Sequence, residues 1–455
     1  MLLKAILDKQ QTYFHQHHTK DVTFRRTQLK KLKAALQENE QLLYNAIYSD
    51  FKKSEFDTFA TELALVYHEI DIARMKLSGW ARKKHVSTNL INFPAQSYVI
   101  PEPLGSVLII GAWNYPYLLT LSPMVAAMAA GCTMIVKPSE IPASTSKALL
   151  KIIAETFSPE YITVVEGGVS ETTELLKLKF DKIFFTGSTA VGKIVYKAAA
   201  ENLVPVTLEL GGKSPAFVTS KANLKMAAKR IVWSKFLNAG QTCISPDYLM
   251  VEASIEDRFK EMIKQQIEKE KFDLENENYS QIINKKNFDR LAALIDQDKL
   301  FLGGKMNEEK RVITPTVLHK VSFDDAVMKD EIFGPILPII SYTNLDAAIS
   351  EVKKLPKPLS AYVFSNSDKE KQKILTEVSF GGGGVNEAVM QITNPSLPFG
   401  GVGASGFGSY HGEHGFKAFS HMKAIVEKPN WLELPLKYFP RSKRKLWWIK
   451  QIFKI

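Results

Sequence analysis

Residues 105–137 read GSVLIIGAWNYPYLLTLSPMVAAMAAGCTMIVK, and this stretch decides the fold. Ser106-Val-Leu-Ile-Ile110 is an unbroken apolar run of strand length. Residues 117–130 are long enough for a helix, and Gly131 follows, the residue suited to a left-handed helix stop. Thr133-Met-Ile-Val136 is a second apolar run. A strand without polar alternation is covered on both faces, and two such strands joined by a helix form a parallel βαβ unit. The stretch carries no charge before Lys137, but Asn114, Pro116, Pro123 and Gly131 cut it into pieces. Each is shorter than the roughly 20 apolar residues that a membrane helix needs, so the segment reads as buried core.

The alternation continues outward from there. The pattern predicts a helix over 144–157, a strand over 162–165, a helix over 171–178 and a strand over 182–185. A helix over 190–199 and a strand over 205–210 complete the first run. A second run predicts a strand over 248–252, a helix over 255–271, strands near 312–318 and 335–341, a helix over 346–354 and a strand over 359–364. Two parallel-sheet α/β halves thus meet near residue 210. Upstream, apolar residues at helical spacing predict helices over 28–48 and 58–80, and residues 86–103 read as a proline-punctuated extended excursion.

A chain of 455 residues is too long for one ordinary core, and about three domains is the expectation. Its two cysteines, Cys132 and Cys243, build no disulfide framework, which points to a reducing cytoplasm. Met1-Leu-Leu-Lys-Ala-Ile-Leu-Asp-Lys lacks the apolar core and cleavage site of a secretory signal. The net charge of +11 is distributed unevenly: seven lysines and arginines from Lys437 onward meet no acidic residue after Glu433. Everything before them carries only +4, so no nucleic-acid-binding body is expected. Helical spacing over 443–455 puts Leu446, Trp448, Ile449, Ile452, Phe453 and Ile455 on one side, and Lys443, Arg444, Lys450, Gln451 and Lys454 on the other. Trp447 alone falls among the polar residues. Such a helix suits an anionic membrane interface, with packing on its own domain or on a partner copy as the alternative.

Cys243 stands in Asn238-Ala-Gly-Gln-Thr-Cys-Ile-Ser-Pro, a polar loop after a helical pattern. Gly240, Gln241 and Thr242 suggest an open, reachable thiol, against the alternative of a small buried residue. Glu209, in the apolar strand VPVTLELGG (204–212), is either a buried carboxylate with raised pKa or an outward-facing side chain. Asn114, between a strand and a helix, offers an amide that could stabilise an oxyanion or merely shape a turn. Phe185-Thr-Gly-Ser-Thr-Ala-Val-Gly192 could bring a helix N-terminus to a phosphate or be a tight turn. Its spacing is not G-x-G-x-x-G. Lys137-Pro-Ser-Glu140 reads as a ribose contact at the carboxyl edge of the sheet, or as a solvated loop. Glu331-Ile-Phe-Gly-Pro335, Asn386 after Gly381–Gly384, and the glycine-rich 397–406 are further polar or flexible breaks. No metal-ligand pattern stands out; His411 and His414 are the nearest thing to one.

Together these stretches resemble the aldehyde dehydrogenase superfamily. The short lead before the first strand, Ser409-Tyr-His-Gly412 and Tyr438-Phe-Pro resemble its class 3 branch, which acts on fatty and aromatic aldehydes. The resemblance runs from the first helices to Ser420. It implies a Rossmann-like dinucleotide-binding domain (1–85 and 104–209), a catalytic domain (210–396) and bridging segments with β structure (86–103 and 397–430), ahead of the basic amphipathic tail (431–455). It implies a homodimer using NAD, with NADP tolerated. By position Cys243 falls on the nucleophile, Glu209 on the general base and Asn114 on the oxyanion amide. Lys137 and Glu140 fall on the adenine-side ribose contacts, Gly187, Ser188 and Gly192 near the pyrophosphate, and Glu331 and Phe333 on the nicotinamide ribose and ring. Ala112 replaces the family's usual proline, and four glycines stand at Gly381–Gly384.

The expected chemistry is oxidation of an aldehyde, medium- or long-chain or aromatic, through a cysteine thiohemiacetal and thioester to the acid. Two rivals are a Cys/Glu hydrolase without redox chemistry and a non-catalytic membrane-associated binding protein. The first leaves the Gly187 turn, the Lys137–Glu140 loop and Glu331 without a purpose. The second leaves the Cys243, Glu209 and Asn114 set idle.

Overall fold

The computed structural model describes residues 2–454. Its centre is the strand Ser106–Ile110, buried along its whole length in a six-stranded sheet. Thr133–Lys137 and then Ile162–Val164 lie on one side of it; Lys182–Thr186, Val206–Glu209 and Gly406–Phe407 lie on the other. All pairings are parallel except that of Gly406–Phe407 with Val206–Glu209. Successive connections leave Ser106–Ile110 in opposite directions, so a crevice opens beyond the carboxyl ends of Ser106–Ile110 and Lys182–Thr186. Asn114 and Gly187 follow those two strands.

The helix Leu118–Ala130 is buried at every residue. Gly131 ends it at φ 96°, a left-handed turn that a side chain would strain and crowd against the Arg25 guanidinium. At its other end the Glu62 carboxylate accepts the N–H groups of Tyr117 (2.8 Å) and Leu118 (3.2 Å). Glu62 is itself paired with Lys53 at 2.6 Å, both side chains being buried. A negative group there satisfies two orphan donors and complements the helix dipole.

A seven-stranded sheet follows, in the order Leu300–Leu302, Thr316–Leu318, Ile336–Tyr342, Tyr248–Glu252, Pro215–Val218, Ser360–Phe364, Gly382–Val385. Only Leu300–Leu302 is antiparallel to its neighbour. A third, antiparallel sheet joins Lys84–Val86, Gln96–Pro103 and Ser420–Glu427. The mixed α/β architecture is the one the sequence led us to expect.

Several elements differ in detail. The expected helix over 28–48 breaks at Asn39 into Val22–Glu38 and Glu40–Phe51. That over 58–80 begins with a π-helical turn, Phe59–Leu63, whose extra residue turns Glu62 inward. The expected strand over 312–318 is divided by Pro315, which cannot donate to a ladder. Pro215–Val218, a short inner strand of the second sheet, carries no length signal in the sequence. The tail helix spans Lys443–Ile452, with the Ser442 hydroxyl capping the Lys445 N–H; Ile455 lies outside the described residues.

Candidate active site

The two parallel sheets face each other edge to edge. Asn114, Lys137, Gly187 and Glu209 follow or end strands of the first sheet. The segments carrying Gly212, Cys243 and Glu331 precede strands of the second. The carboxyl edge of one sheet therefore meets the amino edge of the other, and the candidate residues lie along the seam.

The Cys243 loop is clamped across that seam. Asn114 donates its amide N–H to the Gln241 carbonyl (3.0 Å), and Asn238 donates back to the Asn114 carbonyl (2.9 Å). The Tyr115 and Thr242 hydroxyls share a hydrogen bond of 2.7 Å. Lys53 rests 4.2 Å from the centre of the Tyr115 ring, which links the buried Lys53–Glu62 pair to this clamp. Asn238 and Ala239 both adopt left-handed φ near 53°, an arrangement that costs energy and persists only where surroundings enforce it. Gly240 follows at φ 73°, packed so tightly on Gly334 that a Cβ would collide with its carbonyl.

Gly240, Gln241 and Thr242, whose polarity suggested an open and reachable thiol, are all three buried. Gln241 spends its polar atoms inside, donating to the Asn238 and Gln281 carbonyls and accepting from the Ile283 N–H. The polarity of the stretch satisfies a buried loop instead of reaching solvent. Only the Cys243 residue remains partly exposed, and its thiol is free.

Glu209 is 2 % exposed, which removes the outward-facing alternative. Neither carboxyl oxygen has a hydrogen-bond partner, and burial holds its pKa well above the ordinary value. Burial pushes the Cys243 thiol up to about 12; the Glu331 and Glu209 carboxylates push the same way, and the N–H groups of Cys243 and Ile244 pull it back. Both carboxyls therefore lie within electrostatic reach of the thiol, whose loop Asn114 holds through Gln241. Burial and Asp247 push the Glu331 carboxyl up to about 8, offset in part by the Gly212 N–H, Lys213 and Lys235.

The remaining candidates flank this centre. Phe333 meets Trp113 edge-on at 5.3 Å, bringing the Glu331 loop against the Asn114 loop. The Gly187 N–H donates to the Glu209 carbonyl (3.0 Å), and Gly192 packs on Leu210. Ser188 caps the helix Thr189–Glu201 through the Val191 N–H. Lys137 is buried, donates to the Pro138 carbonyl (2.8 Å) and lies 3.6 Å from the exposed Glu140 carboxylate. Among the described residues no cluster of three His, Cys, Asp or Glu side chains could hold a metal ion.

The description of the aldehyde dehydrogenase family matches residues 3–425. The chain belongs to the aldehyde dehydrogenase family. It is 45% identical over 452 residues, 97% of each chain, to 4,4'-diaponeurosporen-aldehyde dehydrogenase of Staphylococcus aureus. It is 44% identical over 445 residues to mouse aldehyde dehydrogenase family 3 member A2, covering 96% of this chain and 91% of the relative. A solved substrate-bound structure of Staphylococcus aureus AldH superposes with a TM-score of 0.97 at 44% identity, over 99% of both chains. Like its relatives, this aldehyde dehydrogenase oxidises aldehydes to acids with NAD or NADP.

The aldehyde dehydrogenase also relies on residues that sequence reasoning passed over. Lys213 binds Asp247 at 2.5 Å and donates to the Val327 and Asp330 carbonyls, while Asp247 accepts the Ile332 N–H. These buried charges fix the Glu331 loop relative to the Cys243 loop. Charged residues so near the expected nucleophile and its partner loop were the available signal. The groups present fit a dinucleotide: a helix N-terminus at a topological switch point, a lysine and a carboxylate for hydroxyls, and the Trp113–Phe333 pair where the Asn114 and Glu331 loops meet.

Proposed function

We propose that Cys243 is the nucleophile, Asn114 the oxyanion donor and Glu209 the base of this aldehyde dehydrogenase. The observation that carries the reading is a free thiol on a half-buried residue, within electrostatic reach of the buried and unpartnered Glu209 carboxyl. The Cys243 sulfur, once its proton is removed, adds to the aldehyde carbon, and the Asn114 amide with the Cys243 N–H holds the developing oxyanion. Bound NAD or NADP supplies the hydride acceptor. Cys243 then carries the acyl group as a thioester. Glu209 takes a proton from the water that hydrolyses it, a role suited to a carboxyl whose pKa burial has raised. Lys137 with Glu140, the turn of Gly187, Ser188 and Gly192, and Glu331 with Phe333 would hold the dinucleotide. The Glu140 carboxylate favours a free ribose hydroxyl, hence NAD over NADP. The test is Cys243→Ala: turnover should vanish while dinucleotide binding, followed by fluorescence, is retained. Full dehydrogenase activity in that variant would end the assignment.

The substrate class is inferred from the family resemblance and from one relative, named a 4,4'-diaponeurosporen-aldehyde dehydrogenase; a medium- or long-chain or aromatic aldehyde is the fitting substrate here. A homodimer is supported by two surfaces. Gly382–Val385 ends its sheet with a free edge, and the small sheet and its flanking turn expose Val86, Leu90, Ile91, Phe93 and Val426. The tail helix leaves Leu446, Trp447, Trp448 and Phe453 about half exposed or more, beside seven cations. Those features support peripheral contact with the anionic inner face of a membrane. Among the described residues no helix is long and apolar enough to cross one.

A further inference from the structure

Hydrolysis of the thioester leaves a proton on Glu209, which is sealed in the interior. Oxidation of an aldehyde by water and the dinucleotide releases protons at every turnover, so a buried base needs a way to unload. The surroundings of Glu209 contain a set of buried polar groups that the mechanism above does not use.

A Cβ at Gly400 would lie 3.2 Å from Glu209 Oε1, so the segment 399–400 packs directly on the carboxyl. Phe399 exchanges both backbone hydrogen bonds with Tyr410 (3.1 and 2.9 Å). Tyr410 is fully buried between the rings of Phe184 and Phe399, and its hydroxyl has no partner. The charges that bear on it are Glu209 and Cys243 on one hand and Glu69 on the other. Glu69 accepts the Gly412 N–H at 2.8 Å. His411 stacks on Phe399 at 5.3 Å, is held at φ 79°, and leaves its Nε2 unpartnered. That backbone strain in a non-glycine residue is the kind found where side-chain placement serves function. Glu69, His68, Thr393 and His411 line a cavity of about 10 Å³, on the scale of a single water. His68, on the same helix as Glu69, is exposed. The helix Leu118–Ala130 adds only Leu118 to this lining.

We propose that Tyr410 relays the proton taken up by Glu209 to the small cavity at Glu69 and His411, from which His68 passes it to solvent. The proposal rests on Glu209 being the hydrolytic base. As the water oxygen bonds to the acyl carbon, its proton goes to Glu209, and the carbon–sulfur bond then breaks with the electron pair leaving on Cys243 sulfur. The Glu209 proton moves through an intervening water to the Tyr410 oxygen while the phenolic proton moves on to a water at Glu69 and His411. Tyr410 ends as the phenol it began, which suits a group whose own ionisation is opposed first by burial and then by Glu209, Glu69 and Cys243 nearby.

Tyr410→Phe removes one oxygen and keeps the ring in place. In rapid-mixing experiments with aldehyde and NAD, we expect the first-turnover burst of reduced dinucleotide to keep its amplitude and rate. The steady-state rate should fall roughly tenfold or more, within the usual range for a lost proton-transfer group, and its solvent deuterium isotope effect should rise. His411→Gln should shift the pH profile of the steady state without changing the burst. A Tyr410→Phe steady state and isotope effect equal to the parent's would overturn the relay, as would loss of the burst itself. Glu209→Gln separates the two readings: normal deacylation there removes the base, whereas stalled deacylation beside an unaffected Tyr410→Phe removes only the relay.

Discussion

Glu209 illustrates how one side chain trades stability for chemistry. Its carboxyl is buried with no partner, so the folded protein holds a proton that the unfolded chain releases once the pH passes the ordinary value of 4.5. The native state then binds more protons than the unfolded one, and stability falls as the pH rises above that value. Glu209→Gln has no such proton to hold. Its Tm should exceed the parent's by more at about pH 8 than at about pH 5, while acylation proceeds and deacylation stalls. Differential scanning calorimetry at both pH values, with single-turnover and steady-state assays, checks both halves. A Tm difference independent of pH would show that the carboxyl is solvated after all. The carboxylate in an apolar strand was visible in the sequence; which face it occupied was not, because a strand covered on both sides has no alternation to read.

At the scale of elements, the π-helical turn Phe59–Leu63 matters most to the site. By carrying Glu62 inward it neutralises buried Lys53, caps the helix Leu118–Ala130, and so fixes the Asn114–Tyr115 turn that clamps the Cys243 loop. Glu62→Ala should strand an ammonium and two N–H groups in the interior. Breaking a buried pair this way costs about 3–5 kcal/mol, to be read from urea denaturation midpoints. A loss below about 1 kcal/mol, the level of an exposed pair, would show that the cap is dispensable. The strands and helices of the first sheet were legible because each buries a continuous apolar surface. The π turn was not: its periodicity differs from an α-helix by one residue, and its purpose lies in contacts with residues 53 and 117–118.

The whole molecule presents, among the described residues, a nearly balanced body, three larger sheets and one of two strands, and a cationic tail that is uncovered in the single chain. Truncation after Pro440 should abolish co-sedimentation with anionic liposomes and leave activity on water-soluble aldehydes intact. Retained liposome binding in the truncated protein would move the contact to another surface, and altered activity would place the tail near a site. Light scattering gives the independent check on assembly: the monomer mass is 51.1 kDa, and a dimer doubles it. Dimerisation through the small sheet should survive the truncation, since that sheet closes before the tail begins.

The sequence by itself determined the α/β class, most of the first sheet, the basic tail and the candidates for the reacting groups. Those are properties of local pattern: apolar runs, helical spacing, a cysteine and an asparagine in polar or glycine-containing breaks, and a carboxylate in an apolar strand. Only the tertiary structure decided that the carboxyl edge of one sheet meets the amino edge of the other, that Gln241 faces inward, and that the segment 399–400, paired with Tyr410, packs on Glu209. Burial and electrostatic coupling depend on distances between residues far apart in the chain, and no window of sequence contains those distances.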